Sequence, residues 1–173
     1  MTPLKPYPGY LLVISLLTVL AACSGGSAAK APTEPLATLD IYKSQSCQCC
    51  GHWIQHAENA GFEAKEHHPA DLNAVKRQYG IAPRYQSCHL AVSSQGYVFE
   101  GHIPAHFIQQ FLDKPPAGAI GLSVPGMPLG SPGMEVNDRF TPYQVLLLKN
   151  DGQSEVYARV DTAAQQYPEG SKP

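Results

Sequence analysis

No basic cluster interleaved with aromatic residues occurs in the 173 residues, and the formal net charge is −2. Nucleic-acid binding leaves the opposite footprint, so nucleic acid is excluded as a partner. There is no G-x-S-x-G elbow, no G-x-x-x-x-G-K phosphate loop and no H-E-x-x-H helix. The ordinary hydrolase and transferase machinery is therefore missing. The stretch Gly126 to Gly133 is rich in glycine but holds no lysine and opens no helix. Charged residues make up only 15% and hydrophobic residues 43%, which suits one domain with its own core and is too little chain for two. A membrane-length apolar run is also absent, because the longest, Tyr10 to Val19, falls short of the roughly 20 residues a spanning helix needs.

That short run has the flanks of a secretory signal: Lys5 before it and the small-residue exit Leu20-Ala21-Ala22-Cys23 after it. The exit resembles the lipobox of bacterial lipoproteins, with Cys23 as the lipidated residue. The bland alternative is an ordinary signal peptide with a chance cysteine. Lipidation of Cys23 would hold the protein at a membrane surface in the periplasm without spanning it. The expected organisation is a signal peptide over residues 1–22 and a small-residue tether over 23–35. A domain follows over 36–160, then a disordered tail over 161–173.

Within the domain, alternation at Leu39 and Ile41 predicts a strand over 37–42. Cys50 to Ala60 reads as a helix with Trp53, Ile54, Ala57 and Ala60 on one face and Gly61 as its stop. A second strand is expected from Phe62 to Glu66. Asp71 caps a second helix with Leu72, Val75 and Tyr79 inward and Gly80 closing it. Leu90–Ser93 and Tyr97–Glu100 form a hairpin around Ser94-Gln95-Gly96. Pro104 opens a third helix with Phe107, Ile108, Phe111 and Leu112 as its core face. The order β-α-β-α-β-β-α is that of a thioredoxin-like α/β fold. A C-terminal β-hairpin turning at Asn150-Asp151-Gly152 is added to it.

What the chain does have is cysteine in one place. Cys47, Cys49 and Cys50 stand within four positions, at the junction of the first strand and first helix. Unpaired N–H groups at a helix start favour negative charge and lower thiol pKa values. Cys88 precedes the third strand, which runs antiparallel to the first in this fold. Four sulfurs therefore converge at one rim.

Three chemistries compete for them. A structural disulfide framework is permitted outside the cytoplasm. Neighbouring Cα atoms lie about 3.8 Å apart, too close for an easy Cys49–Cys50 bridge. The pairs Cys47–Cys50 and Cys49–Cys88 remain open. Thiol–disulfide exchange through the C-x-x-C of Cys47 and Cys50 is the second, although Ser87-Cys88-His89 stands where such enzymes carry a cis proline. Metal binding is the third. Soft thiolates select Cu(I), zinc or iron–sulfur clusters, and adjacent cysteines suit bridging between ions better than chelation of one. Four thiolates around a single Cu(I) would leave three negative charges, which several Cu(I) ions would neutralise. A polynuclear Cu(I)–thiolate cluster is the favoured reading.

Longer motifs add a resemblance. The segments Cys47-Gln48-Cys49-Cys50-Gly51-His52-Trp53, Ser87-Cys88-His89, Gly96 to Ala105 and Val124 to Val136 resemble, in this order, the DUF411 family, whose characterised type is a periplasmic copper-resistance protein. The resemblance covers about residues 38–136. It implies a thioredoxin-like core, copper held by Cys47, Cys49, Cys50 and Cys88, and a role in copper tolerance with Cu(I)/Cu(II) redox cycling as an added activity. Other periplasmic copper-handling or redox proteins would be its partners. His89, Met127 and Met134 are candidates for further or supporting ligands. For each methionine the alternative is gap-filling near the rim. The i, i+4 pairs His52/His56 and His102/His106 read as solvated faces, and Trp53 and Tyr79 as core.

Overall fold

Backbone hydrogen bonding in the computed structural model defines ten regular elements over residues 35–168, the residues it describes. The proposed signal peptide, Cys23 and the tether through residue 34 lie outside the described residues, as do residues 169–173. The strands and helices are β1 (Thr38–Lys43), α1 (Gln48–Asn59), β2 (Glu63–His67), α2 (Leu72–Gln78), β3 (His89–Ser93), β4 (Val98–Glu100), α3 (Ala105–Asp113), β5 (Ala119–Ser123), β6 (Tyr143–Lys149) and β7 (Ser154–Val160). The expected element order holds through α3.

All seven strands join one mixed sheet in the order β2-β1-β3-β4-β5-β6-β7. β1 pairs parallel with β2 and antiparallel with β3, and β3 pairs antiparallel with β4. Strand periodicity of two sends alternate residues to opposite faces. Leu39 and Ile41 of β1, Ala91 of β3, Phe99 of β4 and Val145 of β6 join Trp53, Ile54 and Ala57 of α1 and Ile108 and Phe111 of α3 in one core. Leu90, Val92, Val98 and Leu148 face the other way and pack with Ile81 and Tyr85, while Val75 and Tyr79 lie partly buried against them. Tyr79 is thus half-buried rather than central. Asp71 caps α2 as expected, accepting the Ala74 N–H at 2.9 Å.

Two features depart from the sequence expectation. No strand is expected from the sequence at Ala119–Ser123, whose last three residues read as the start of a Gly/Pro-rich loop over 121–133, yet β5 forms there. It pairs parallel with β4, and a Cβ at Gly121 would sit 1.7 Å from the Val98 carbonyl oxygen. Only glycine permits that approach. β5 then carries the hairpin β6–β7 onto the sheet edge.

The second departure is the tail, expected to be disordered from residue 161. Instead Ala163–Gln166 forms a 3-10 turn with a Thr162/Gln165 capping box. Gln166 is buried, donating to Gly130 O at 3.0 Å and accepting from Tyr143 Oη at 2.7 Å. Its polarity, which reads as fraying, is what satisfies these buried partners.

Candidate metal centre

The β1–β3 register pairs Lys43 with His89. The end of β1 and the start of β3 therefore share one rim, and the cysteine segments follow and precede them there. Cys47 is the N-cap of α1 and makes no side-chain cap bond. Its sulfur is thus left to the neighbouring cysteines. The four Sγ atoms of Cys47, Cys49, Cys50 and Cys88 all lie within 4.8 Å of one another. Cys49 Sγ is 3.5 Å from Cys47 Sγ and 3.9 Å from Cys88 Sγ, and Cys50 Sγ is 3.5 Å from Cys88 Sγ. Cys47 and Cys50 are joined as a disulfide, while Cys49 and Cys88 are thiols. Of the pairings left open by spacing, only the C-x-x-C one forms among the described residues.

Buried charge holds the Ser87–Cys88 segment. Lys76 Nζ donates to Glu100 Oε1 at 2.5 Å and to Ser87 O at 2.6 Å, and the Ser87 N–H donates to Glu100 Oε1 at 2.6 Å. Lys76 and Glu100 are both fully enclosed, Lys76 in place of the apolar face expected of α2. Burial raises the Glu100 carboxyl pKa, and the Lys76 ammonium and Ser87 amide pull it back. Gly101 fits beside this segment because a Cβ there would meet Val124 O at 2.5 Å and Ser87 Cβ at 2.6 Å.

Two histidines complete the rim. His102 Nε2 stands 2.9 Å from Cys88 Sγ. Its Nδ1 lies 2.8 Å from Pro132 O, which can only accept, so Nδ1 carries the proton and Nε2 offers its lone pair to the sulfur. Burial lowers the His102 pKa, keeping the ring neutral. His89 is buried against Trp53, with ring centroids 4.4 Å apart. Its Nδ1 is 3.4 Å from Cys88 Sγ, and its Nε2 has no hydrogen-bond partner. Desolvation, with the Cys49 sulfur beside it as a lesser cause, pushes the Cys88 thiol up to about 12. The thiol therefore donates to His102 Nε2 at neutral pH. The lowered thiol pKa expected at a helix start does not extend to Cys88, which lies on a strand lead-in.

The Pro/Gly/Met loop covers this rim. A Cβ at Gly133 would meet Cys49 O at 2.6 Å and Trp53 N at 2.7 Å, so the loop lies directly on the first turn of α1. Met127 is 53% exposed on it and Met134 is half-buried.

The paired histidines act otherwise. His52 is exposed, but His56 Nε2 accepts the Ala105 N–H at 3.0 Å, supplying the cap that Pro104 cannot give α3. His106 Nδ1 donates to Gln166 O at 3.1 Å. These two are not the solvated face expected of them. They line a cavity of about 410 Å³ with Glu135, Gln166 and Tyr167. His102 was the functional candidate that spacing missed. It precedes α3, so helical periodicity says nothing about where it points.

A family model described as a protein of unknown function, DUF411, matches residues 85–134. This match holds Cys88, His89, His102 and most of the covering loop. Two solved structures extend the likeness. "Copper resistance protein copG- Form 1" is 41% identical with a TM-score of 0.67, covering 72% of this chain and 97% of that chain. "Copper resistance protein copG- Form 2" is 42% identical with a TM-score of 0.69, covering 73% of this chain and 99% of that chain. The chain belongs to the DUF411 family. Among curated proteins no relative matches. This DUF411 protein is CopG-like, and its cysteine/histidine cluster is compatible with metal binding. None of its described helices is long and apolar enough to cross a membrane.

Proposed function

We propose that this protein is a periplasmic copper-binding protein of copper tolerance, holding several Cu(I) ions through Cys47, Cys49, Cys50 and Cys88 on a thioredoxin-like frame. The observation that carries it is the meeting of four sulfurs from two chain segments within 4.8 Å of one another. Soft thiolates select Cu(I), and sulfurs this close can bridge neighbouring ions. The likeness to the CopG copper-resistance structures supports copper as the metal. Lipidation at Cys23 would keep the domain at the envelope membrane, near other copper-handling or redox proteins. In this reading Met127 and Met134, on the loop over the rim, are candidates for further thioether ligands.

The chemistry follows from the sulfur states. The Cys47–Cys50 disulfide takes up two electrons and two protons from a thiol reductant before all four sulfurs can serve. Each thiol that then binds Cu(I) gives up its proton, and Cys88 passes its own toward the water beyond the rim. Bridging spreads the thiolate charge over several cations, which offsets burial. Cu(I)/Cu(II) cycling is an added activity in this reading, with one electron per ion exchanged with a partner redox protein.

The disulfide also favours a second reading, a thiol–disulfide oxidoreductase using Cys47 and Cys50. Cys49 separates the two, since exchange can dispense with it and a bridged cluster cannot. Reduced protein is titrated anaerobically with Cu(I), counting bound metal and free thiols. Wild type should take more than one ion, and Cys49→Ser should lose multi-copper loading. Full loading of Cys49→Ser would sink the cluster reading.

A further inference from the structure

We propose that Cys88, His89 and His102 form a second copper locus, a donor set of one sulfur and two nitrogens that shares Cys88 with the four-sulfur site and takes Cu(II). The proposal rests on the copper reading above and adds to it a place for the oxidised ion. Cys88 Sγ and one ring nitrogen from each histidine lie within 4.8 Å of one another. His102 is committed in advance: with Nδ1 held by Pro132 O, the Nε2 lone pair is fixed 2.9 Å from the sulfur.

His89 supplies an independent argument. It is completely buried, its Nδ1 faces the same sulfur at 3.4 Å, and its Nε2 has no partner. A buried polar group left so poorly paired costs free energy. Against the Trp53 ring an apolar side chain would fill this space without that cost. A metal bond at Nδ1 would leave Nε2 as its N–H, so what points to a ligand is the buried Nδ1 lone pair aimed at the Cys88 sulfur.

The spacing is near what a metal needs. Bonds of about 2.0 Å to nitrogen and about 2.3 Å to sulfur at a wide angle separate the donors by about 3.6 Å. The observed 2.9 and 3.4 Å fall short by about 0.7 and 0.2 Å, within reach of a Cys88 side-chain rotation. The donor chemistry differs from that of the neighbouring site. Four thiolates favour Cu(I), whereas a thiolate with two imidazoles is the set that holds copper in electron-transfer sites. An ion that gives one electron to a partner redox protein as it passes from the first set to the second would keep Cys88 as a ligand throughout.

The test uses the full chain with Cys47, Cys49 and Cys50 all changed to Ser, given one equivalent of Cu(II) without oxygen. An intense thiolate-to-Cu(II) absorption band in the visible is expected, with at least a tenfold loss of Cu(II) affinity on adding His102→Ala. No band, or equal affinity with and without His102, overturns the proposal. Should the triple variant misfold, copper X-ray absorption of loaded wild type and His102→Phe decides. The nitrogen shell should shrink while the sulfur shell persists, and an unchanged nitrogen shell overturns the proposal. The Cu(I) stoichiometry of the same His102→Phe protein reports separately on the four-sulfur site, which should still load.

Discussion

Lys76 Nζ, Glu100 Oε1 and the Ser87 backbone close a ring with separations of 2.5 to 2.6 Å, one residue from a cysteine of the site. A buried ion pair is a poor route to stability, because desolvation consumes most of its attraction. Its effect here is positional: it pins the backbone that presents Cys88. Lys76→Met strands the Glu100 carboxylate and should cost about 3–5 kcal/mol in urea unfolding. Lys76→Met with Glu100→Leu should recover most of that loss yet still load less copper, because Ser87 is no longer held. Full loading of the double variant would show that the pair does not place Cys88. At this scale the sulfurs were legible in the sequence, since three of them share one turn and the element order brings the fourth beside it. Lys76 was not, because a charged residue on a helix reads as solvated unless its partner, 24 positions away, is already known. His102 was hidden by an apparent i, i+4 pairing with His106 that begins outside the helix.

Helix α3 shows how far periodicity reaches. Ile108 and Phe111 are buried as its 3.6-residue pattern requires, and Phe107 and Leu112 pack at the margin. Its N-terminal cap comes from another helix, which no local pattern reveals. Strand β5 was missed for a related reason. Gly121 reads as loop punctuation, whereas it is there to let β4 and β5 approach. The cross-helix cap carries a pH dependence. Burial, with His106 beside it as a lesser cause, lowers the His56 pKa from 6.5 to about 4. Between those values the unfolded chain holds a proton on this ring and the folded chain does not. Stability therefore falls as pH drops from about 6.5 toward about 4. His89, His102 and His106 are lowered by burial as well and act with the same sign. His56→Gln keeps an oxygen acceptor for Ala105 but removes one titration. Urea midpoints measured from pH 7 to pH 4 should decline less steeply for His56→Gln than for wild type. Parallel curves would mean that His56 does not carry its share.

The whole molecule offers two ways of tying its cysteines, and they differ in how much chain they enclose. The Cys47–Cys50 disulfide spans a sequence separation of 3. By the chain-entropy relation a loop of that size restricts the unfolded state by only about 2 kcal/mol. A copper ion shared between the α1 turn and Cys88 ties residues 38 positions apart, for which the same relation gives about 4 kcal/mol. Such a tie fastens β3, in the middle of the seven-stranded sheet, to the first turn of α1. Any ligand that prefers the folded state adds further stability by mass action. Reducing the disulfide should therefore lower the stability of the metal-free protein modestly, and adding Cu(I) to the reduced protein should raise it by more than the disulfide did. Cys88→Ser should keep the disulfide's small effect and lose the larger part of copper's. Thermal unfolding of four states, oxidised, reduced, reduced with Cu(I), and reduced Cys88→Ser with Cu(I), measures both differences. Equal stabilisation of wild type and Cys88→Ser by Cu(I) would place the ions on the α1 turn alone, without the Cys88 sulfur among their ligands.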